Sequence, residues 1–157
     1  MQTPTEGEGK VIKNILVVLD GEEHTGKALD HALYLGHTTG ATLTGMHVVN
    51  PYLKQFHNEI YAQGRREYLQ HVEILLQDQA NRVMERFKEE ASARGISFEV
   101  KTRRGEPLEE ILRECKDNRY ELVVVGGKPL RGLDRLKSGN LPHKLEQRLL
   151  TPLLIVK

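Results

Sequence analysis

The chain is poor in cysteine and in aromatic side chains. Its 157 residues include one cysteine, Cys115, no tryptophan, three phenylalanines and five tyrosines. A single thiol excludes an internal disulfide and a cysteine-based zinc site, and it is typical of proteins from a reducing compartment. The few aromatic rings disfavour a stacking platform for single-stranded nucleic acid. The composition therefore predicts a cytoplasmic protein without a nucleic-acid partner.

An excess of charge of one sign and long apolar runs are also missing. Lysine and arginine total 23 and aspartate and glutamate total 22, so the formal net charge is +1. This balance excludes binding to nucleic acid or to an acidic membrane by bulk charge alone. No apolar run approaches the roughly 18 residues that a membrane span requires. The first ten residues, MQTPTEGEGK, lack the apolar core of a signal peptide, and we expect residues 1–10 to form a flexible tail before one domain, residues 11–157.

What the sequence does contain is a regular alternation of apolar runs with helical patterns. The apolar runs predict strands, and apolar residues repeated every three or four positions predict the helices between them. Such alternation is typical of a parallel sheet covered by helices on both faces. Ligands of these sheets bind beyond the carboxyl ends of the strands, where the strand order reverses. The predicted strands are residues 15–19, 42–49, 96–104, 121–125 and 153–156, and the longest predicted helix is residues 66–94.

The stretch after the fourth predicted strand, VVVGGKPLRGLDRLKSGN, is the most informative one. The strand ends at Gly126 and Gly127, and Gly139 precedes a predicted helix that begins near Asn140. Glycines allow backbone N–H groups to approach a phosphate closely, and a helix N-terminus favours an anion. Residues 126–148 carry six basic and two acidic side chains. The pattern indicates an anion site, although a solvated basic surface loop is an alternative explanation of the same residues.

The same stretch resembles the nucleotide loop of the universal stress protein family, whose pattern is Gly, two residues, Gly, nine residues, Gly and Ser or Thr. The four positions here are Gly126, Pro129, Gly139 and Asn140, so the spacing is kept and two of the residue types differ. Other segments resemble the strand ends and helix starts of the family, in the same order. They are KNILVVLDGEEHTGKALDHAL, GMHVVNP, RRGEPLEEIL and TPLLIVK, and the resemblance covers residues 12–157.

The resemblance implies a three-layer α/β fold, Rossmann-like and similar to the adenine nucleotide alpha hydrolases, with five parallel strands in the order 3-2-1-4-5. For a member that binds ATP, it implies that Asp20 lies near the phosphates and their Mg²⁺ ion and that Val48 lies beside the adenine. It also implies phosphate contacts at Gly126, Gly139 and Asn140. The expected cofactors are therefore ATP and Mg²⁺, with Asp20 as the residue at the metal.

The departures from the family pattern weigh against nucleotide binding. Pro129 has no N–H to donate, and its ring fixes φ near about −65°. Asn140 is bulkier than serine or threonine, but it still donates hydrogen bonds and is a good N-cap residue. Gly127 adds backbone freedom beside the loop, and we include it among the predicted nucleotide-binding residues.

Two functions remain open from the sequence. The first is a stress-response regulator that binds ATP at the loop between Gly126 and Asn140 and acts as a homodimer. The second is a dimeric interaction scaffold that has lost the nucleotide. The resemblance implies the dimer, and the last predicted strand favours it, because an apolar strand at a sheet edge is stabilised by pairing with a second copy.

No pattern of catalytic residues is evident. The seven histidines include no pair at i, i+4 and no HExxH motif, which disfavours a transition-metal site. Cys115 lies on the apolar face of a predicted helix, where a buried thiol is more common than a nucleophile. Asp20 has a second explanation, because a carboxylate after a buried strand can cap the next helix. We therefore expect at most slow ATP hydrolysis.

Overall fold

The computed structural model describes residues 12–21, 23–51, 65–127 and 140–157. The predicted tail, residues 1–10, lies outside these ranges. Within them, five strands alternate with four helices. In chain order the elements are β1 (Asn14–Val18), α1 (Glu23–Thr39), β2 (Thr42–Val49), α2 (Arg65–Ala93), β3 (Phe98–Arg104), α3 (Pro107–Asp117), β4 (Leu122–Gly126), α4 (Leu141–Arg148) and β5 (Leu153–Val156).

The five strands form one parallel sheet in the order β3-β2-β1-β4-β5, which confirms the predicted order. The chain moves outward from β1 through β2 to β3, and it then returns to the other side of β1 with β4. The strand order therefore reverses between β1 and β4, the position at which such sheets bind ligands.

The side chains of β1 alternate between two apolar cores, one on each face of the sheet. Ile15 and Val17 pack on the face that α1 and α2 cover. Leu16 and Val18 pack on the face that α3 and α4 cover. Because successive residues of a strand point to opposite faces, a strand that is covered on both faces is a continuous apolar run, as β1 is in the sequence.

β3 begins at Phe98, two residues later than predicted, and ends at Arg104, where its end is predicted. Ile96 lies in the turn after α2, where its N–H donates a hydrogen bond of 3.0 Å to the carbonyl oxygen of Ala91. The charged half of the strand, up to Arg104, pairs with β2, and two of its side chains reach a buried carboxylate on α3. Its alternation of apolar and polar residues predicts a sheet edge, and that position is confirmed.

The longest helix, α2, agrees with the prediction of residues 66–94. Its apolar side packs on β2 and contacts β3 and α1. Among the helices of the described residues, none has both the length and the apolar character that a bilayer span needs.

Candidate functional site

The register of the three central strands brings three predicted site residues to one edge of the sheet. Val18 of β1 lies opposite Met46 of β2, and Val17 lies opposite Val124 of β4. Two residues further along each strand, Asp20 is level with Val48, and Leu19 is level with Gly126. The carboxyl ends of β2, β1 and β4 therefore present Val48, Asp20 and Gly126 side by side at the reversal of strand order.

Contacts from three other elements fix the chain around Asp20. A carboxylate oxygen of Asp20 accepts a hydrogen bond from the hydroxyl of Thr25 in the first turns of α1. The amide nitrogen of Gln79 on α2 donates to the backbone oxygen of Asp20 at 3.2 Å. The buried ring of His47 on β2 donates from Nδ1 to the backbone oxygen of Leu19 at 2.7 Å. Asp20 is therefore joined to the first turns of α1 through the Thr25 side chain, and one of its carboxylate oxygens already accepts a hydrogen bond.

Val48 offers an apolar surface at this edge. Its side chain is half-buried and packs against the core under α3 and α4. Arg103 lies opposite Val48 on β3. The guanidinium of Arg103 donates a hydrogen bond to Glu114 and so is not directed beyond Val48. The end of β2 is therefore suited to an uncharged planar group more than to a phosphate.

Gly127 has a structural role that the sequence does not reveal. Its N–H donates to the carbonyl oxygen of Val156 on β5 at 2.7 Å. A Cβ atom at this position would lie 2.7 Å from Cγ2 of Ile155, closer than side chains tolerate. The glycine therefore allows β5 to pair beside it, and its N–H is occupied by the sheet.

The N-terminus of α4 has fewer backbone N–H groups available to a ligand than the sequence predicts. Asn140 has φ 35° and ψ 68°, and its side-chain oxygen accepts from the N–H of His143 at 3.4 Å. Pro142 stands in the first turn and has no N–H. The N–H of Leu141 is the first-turn donor that remains for a ligand. Gly139 and Pro129 lie outside the described residues.

The most extensive charged cluster lies away from this edge, between β3 and α3. Glu114 is fully buried, and its two oxygens accept hydrogen bonds from Lys101 (2.6 Å), Arg103 (2.9 Å), Asn118 (3.0 Å) and Tyr120 (2.7 Å). Burial alone would raise the pKa of Glu114, but the hydrogen bonds from Lys101, Tyr120 and Arg103 together hold it below its ordinary value. Every donor around the carboxylate is engaged, so the cluster is suited to joining β3 to α3 rather than to proton transfer.

The remaining reactive groups do not form a catalytic arrangement. Cys115 is half-buried beside Glu114, and desolvation, with a smaller contribution from the charge of Glu114, raises the pKa of its thiol to about 11. A thiol with this pKa is almost wholly protonated at neutral pH and is a poor nucleophile. In the part of the chain that the structure describes, no three His, Cys, Asp or Glu side chains are grouped as metal ligands.

Comparison with known proteins agrees with the observed fold. The family model described as the universal stress protein family matches residues 12–157. Universal stress protein YxiE of Bacillus subtilis is 28% identical over 150 residues, which are 94% of this chain and 100% of that protein.

Solved structures share the fold at lower identity. A universal stress protein family protein from Arabidopsis thaliana with AMP bound has a TM-score of 0.65 at 18% identity, over 92% of this chain and 91% of that one. A universal stress protein in complex with cAMP has a TM-score of 0.68 at 19% identity, over 92% of this chain and 96% of that one. At these identities the likeness shows the fold.

Proposed function

Because this chain belongs to the universal stress protein family, we propose that it is a cytoplasmic stress-response regulator that binds an adenine nucleotide at the carboxyl edge of β2, β1 and β4. The observation that carries the proposal is the register that makes Asp20, Val48 and Gly126 neighbours at the reversal of strand order. The AMP and cAMP complexes of proteins with the same fold support it.

Each proposed contact follows from the local chemistry. The adenine ring would lie against the apolar side chain of Val48, and the phosphates would lie between Gly126 and the start of α4. The side-chain oxygen of Asn140 caps α4, so its amide N–H groups are the donors for phosphate. Asp20 would be the residue that holds a Mg²⁺ ion, which would offset the negative charge of the phosphates, and Thr25 fixes the orientation of the carboxylate. Gly139 keeps the phosphate contact that the sequence implies.

ATP with Mg²⁺ is the ligand that we propose, and AMP is the informative comparison. Pro129 and Pro142 each remove one N–H from the region that would bind phosphate, so a long phosphate chain depends more heavily on the metal and on Asp20. Regulation would follow occupancy, since a bound nucleotide covers the strand ends and changes the surface that partners meet. Hydrolysis would be slow, because the described residues near Asp20 and Val48 include no dedicated base.

Isothermal titration calorimetry with ATP·Mg²⁺ and with AMP tests the site. We expect saturable binding of both, with ATP·Mg²⁺ the stronger ligand. Asp20→Asn keeps the size of the side chain and an acceptor for Thr25 but removes the charge, so it should weaken ATP·Mg²⁺ binding by about tenfold and leave AMP binding without metal nearly unchanged. Asp30→Asn is the matched control, because Asp30 is exposed on α1 and loses the same charge.

Each other result leads to a different conclusion. Stronger binding of AMP than of ATP·Mg²⁺ would assign the site to a monophosphate and would remove the metal from the proposal. Equal weakening by Asp20→Asn and Asp30→Asn would show that Asp20 is not at the phosphates. No heat with either nucleotide at about millimolar concentration would favour the scaffold function.

The scaffold function has its own support in β5. This strand is at the sheet edge, and the backbone oxygens of Pro152 and Val156 pair with β4, so the N–H and C=O groups of Leu153 and Ile155 point outward. An unpaired edge of this kind is a template for a second copy. We expect sedimentation equilibrium to give the mass of a homodimer with and without nucleotide, and a monomer mass at all concentrations would contradict dimerisation through β5.

A further inference from the structure

A cavity of about 540 Å³ lies between α1 and α2, beside the carboxyl end of β1. This α1–α2 cavity is defined by Leu19, Leu29, Leu76, Val83, Arg82 and Arg86. Its volume falls within the range of about 300–1,000 Å³ that is typical of small-molecule sites. It opens on the face of the sheet that α1 and α2 cover, whereas Val48 of the proposed nucleotide site packs on the opposite face.

The cavity has an apolar wall and a polar wall of similar extent, and its shape is held by specific contacts. Leu29, Leu76 and Val83 are core or near-core side chains that form its walls. Gly21 has φ +83°, and a Cβ atom there would lie 2.9 Å from Cγ2 of Val83, so only a glycine lets α2 approach the turn after β1. The hydrogen bond from Gln79 to the backbone oxygen of Asp20 joins the same two walls. The cavity is therefore formed without a ligand.

Two guanidinium groups lie at the mouth of this cavity. Arg86 is paired with Glu90 at 3.0 Å, and its Nη2 is 3.6 Å from the position of a Cβ atom on Gly26, so it lies over the start of α1. Arg82 is exposed on the preceding turn of α2. Neither an ion pair nor a hydrogen bond joins the Arg82 side chain to any residue of the described ranges. Arg82 therefore places an exposed positive charge at the mouth, and an anion that binds a guanidinium side-on would pair with it.

We propose that the α1–α2 cavity binds a small organic carboxylate with an apolar chain, with the chain among Leu29, Leu76 and Val83 and the carboxylate at Arg82. The cavity adjoins the proposed nucleotide site at Asp20, which contacts Thr25 and Gln79 of the cavity lining, but the residues proposed to bind the carboxylate ligand are not those proposed to bind nucleotide. An uncharged molecule of the same shape gains the apolar contacts but leaves Arg82 without a partner, so charge at one end distinguishes the ligand.

The probe for the experiment is octanoate, with 1-octanol as its uncharged counterpart. Titration of the full chain, followed by NMR of leucine and valine methyl groups, should give saturable shifts at Leu29, Leu76 and Val83 and small shifts at Leu145, which is buried under α4 on the other face. We expect octanol to bind about tenfold more weakly than octanoate.

Variants at Arg82 and Arg94 distinguish an effect of the charge at the cavity from a general effect of removing an arginine. Arg82→Gln should weaken octanoate binding by about three- to tenfold and leave octanol binding unchanged, while Arg82→Lys should retain most of the affinity. Arg94→Gln is the matched control, because it removes an exposed arginine beyond the end of α2 that pairs with Glu90 and does not line the cavity. Equal losses in Arg82→Gln and Arg94→Gln would overturn the proposal, as would equal affinities for octanoate and octanol.

Two further results would also overturn it. One is the absence of saturable shifts at about 10 mM octanoate. The other is displacement of octanoate by AMP with shifts at the same methyl groups, which would make the cavity part of the nucleotide site. Failure of AMP to bind, by contrast, contradicts the proposed function and leaves the octanoate result intact.

Discussion

Replacement of Glu114 with glutamine is expected to lower the free energy of unfolding by about 3–5 kcal/mol, the usual cost of removing one partner from a buried ion pair. Glu114 is fully buried, and its two cationic partners, Lys101 and Arg103, are themselves mostly covered. Without the carboxylate, the positive charges of Lys101 and Arg103 remain next to each other on the side of β3 that packs against α3. Urea unfolding followed by circular dichroism measures the change.

Glutamine cannot reproduce the hydrogen bonds despite its similar shape. One oxygen of Glu114 accepts from Lys101, Asn118 and Tyr120, and the other accepts two hydrogen bonds from Arg103. A glutamine has one acceptor oxygen and one NH₂ group. In either orientation its NH₂ faces donors, so at least one buried donor loses its partner, and an unsatisfied buried group costs about 1–3 kcal/mol.

The control is Glu109→Gln on the same helix. Glu109 pairs with Arg148 at 2.7 Å, but both side chains are more than half exposed. Exposed ion pairs contribute between about 0 and 1 kcal/mol. The free energy of unfolding of this variant should therefore be close to that of the original chain. A loss below about 1 kcal/mol in Glu114→Gln would mean that the cluster does not join β3 to α3 in solution.

The same carboxylate makes the stability depend on pH in a definite direction. The pKa of Glu114 is lower in the folded chain than its ordinary value of 4.5, so its contribution is present above that value and is lost as the pH falls through the folded pKa. The difference in unfolding free energy between the original chain and Glu114→Gln should therefore narrow below about pH 4. A difference that stays constant down to acid unfolding would contradict the lowered pKa.

The sequence is sufficient to predict the fold because the signals for the fold are local. The apolar run of β1 and the apolar stripe of α2 each lie within one segment of the chain and each predict one element. Gly21, Gly105 and Gly127 mark the ends of β1, β3 and β4. The order of the strands then follows from the resemblance to a known family. The start of β3 differs from the prediction because Ile96 belongs to the turn after α2, where its N–H donates to the carbonyl oxygen of Ala91.

The candidate site is predictable only in part, because its supporting contacts join residues that are distant in the chain. Asp20, Val48 and Gly126 are found from strand ends, which are local features. The hydrogen bond from His47 to Leu19 spans 28 residues and the one from Gln79 to Asp20 spans 59, and no local pattern predicts either. The loss of one N–H donor at the start of α4 could be predicted from the sequence, because Pro142 lies two positions after the cap residue Asn140 and has no N–H.

The Glu114 cluster also leaves a pattern that sequence analysis can use. Lys101 and Arg103 are two residues apart on a strand and share one face, and Glu110 and Glu114 are four apart on the next helix and share one face. Basic residues on one face of a strand, followed by acidic residues on the buried face of the next helix, predict a buried ion-pair cluster. The apolar neighbours of Glu114 hide this pattern when each element is considered alone.

Phe87→Ala is expected to cost about 3–5 kcal/mol of unfolding free energy, the range for removing a large side chain from a core. Phe87 is fully buried on α2, and its ring meets that of Phe98 edge-on at 5.8 Å with an interplanar angle of 86°. The residue of β2 beneath the Phe87 ring is Gly45, which has no side chain and so leaves room for the ring. A Cβ atom on Gly45 would lie 2.7 Å from Cδ1 of Phe87 and 2.8 Å from Cε1.

Because Gly45 and Phe87 are in close contact, we expect the effect of Gly45→Ala on the free energy of unfolding to change sign when Phe87 is replaced with alanine. In the original chain Gly45→Ala should destabilise by about 1–3 kcal/mol, because the methyl group forces the ring and α2 away from β2. In the Phe87→Ala background the same methyl group enters the space that the ring has left, so Gly45→Ala should be neutral or stabilising. A double-mutant cycle by urea unfolding measures the coupling. If Gly45→Ala cost the same in both backgrounds, the ring would not lie over Gly45, and α2 would pack on the sheet elsewhere than this contact requires.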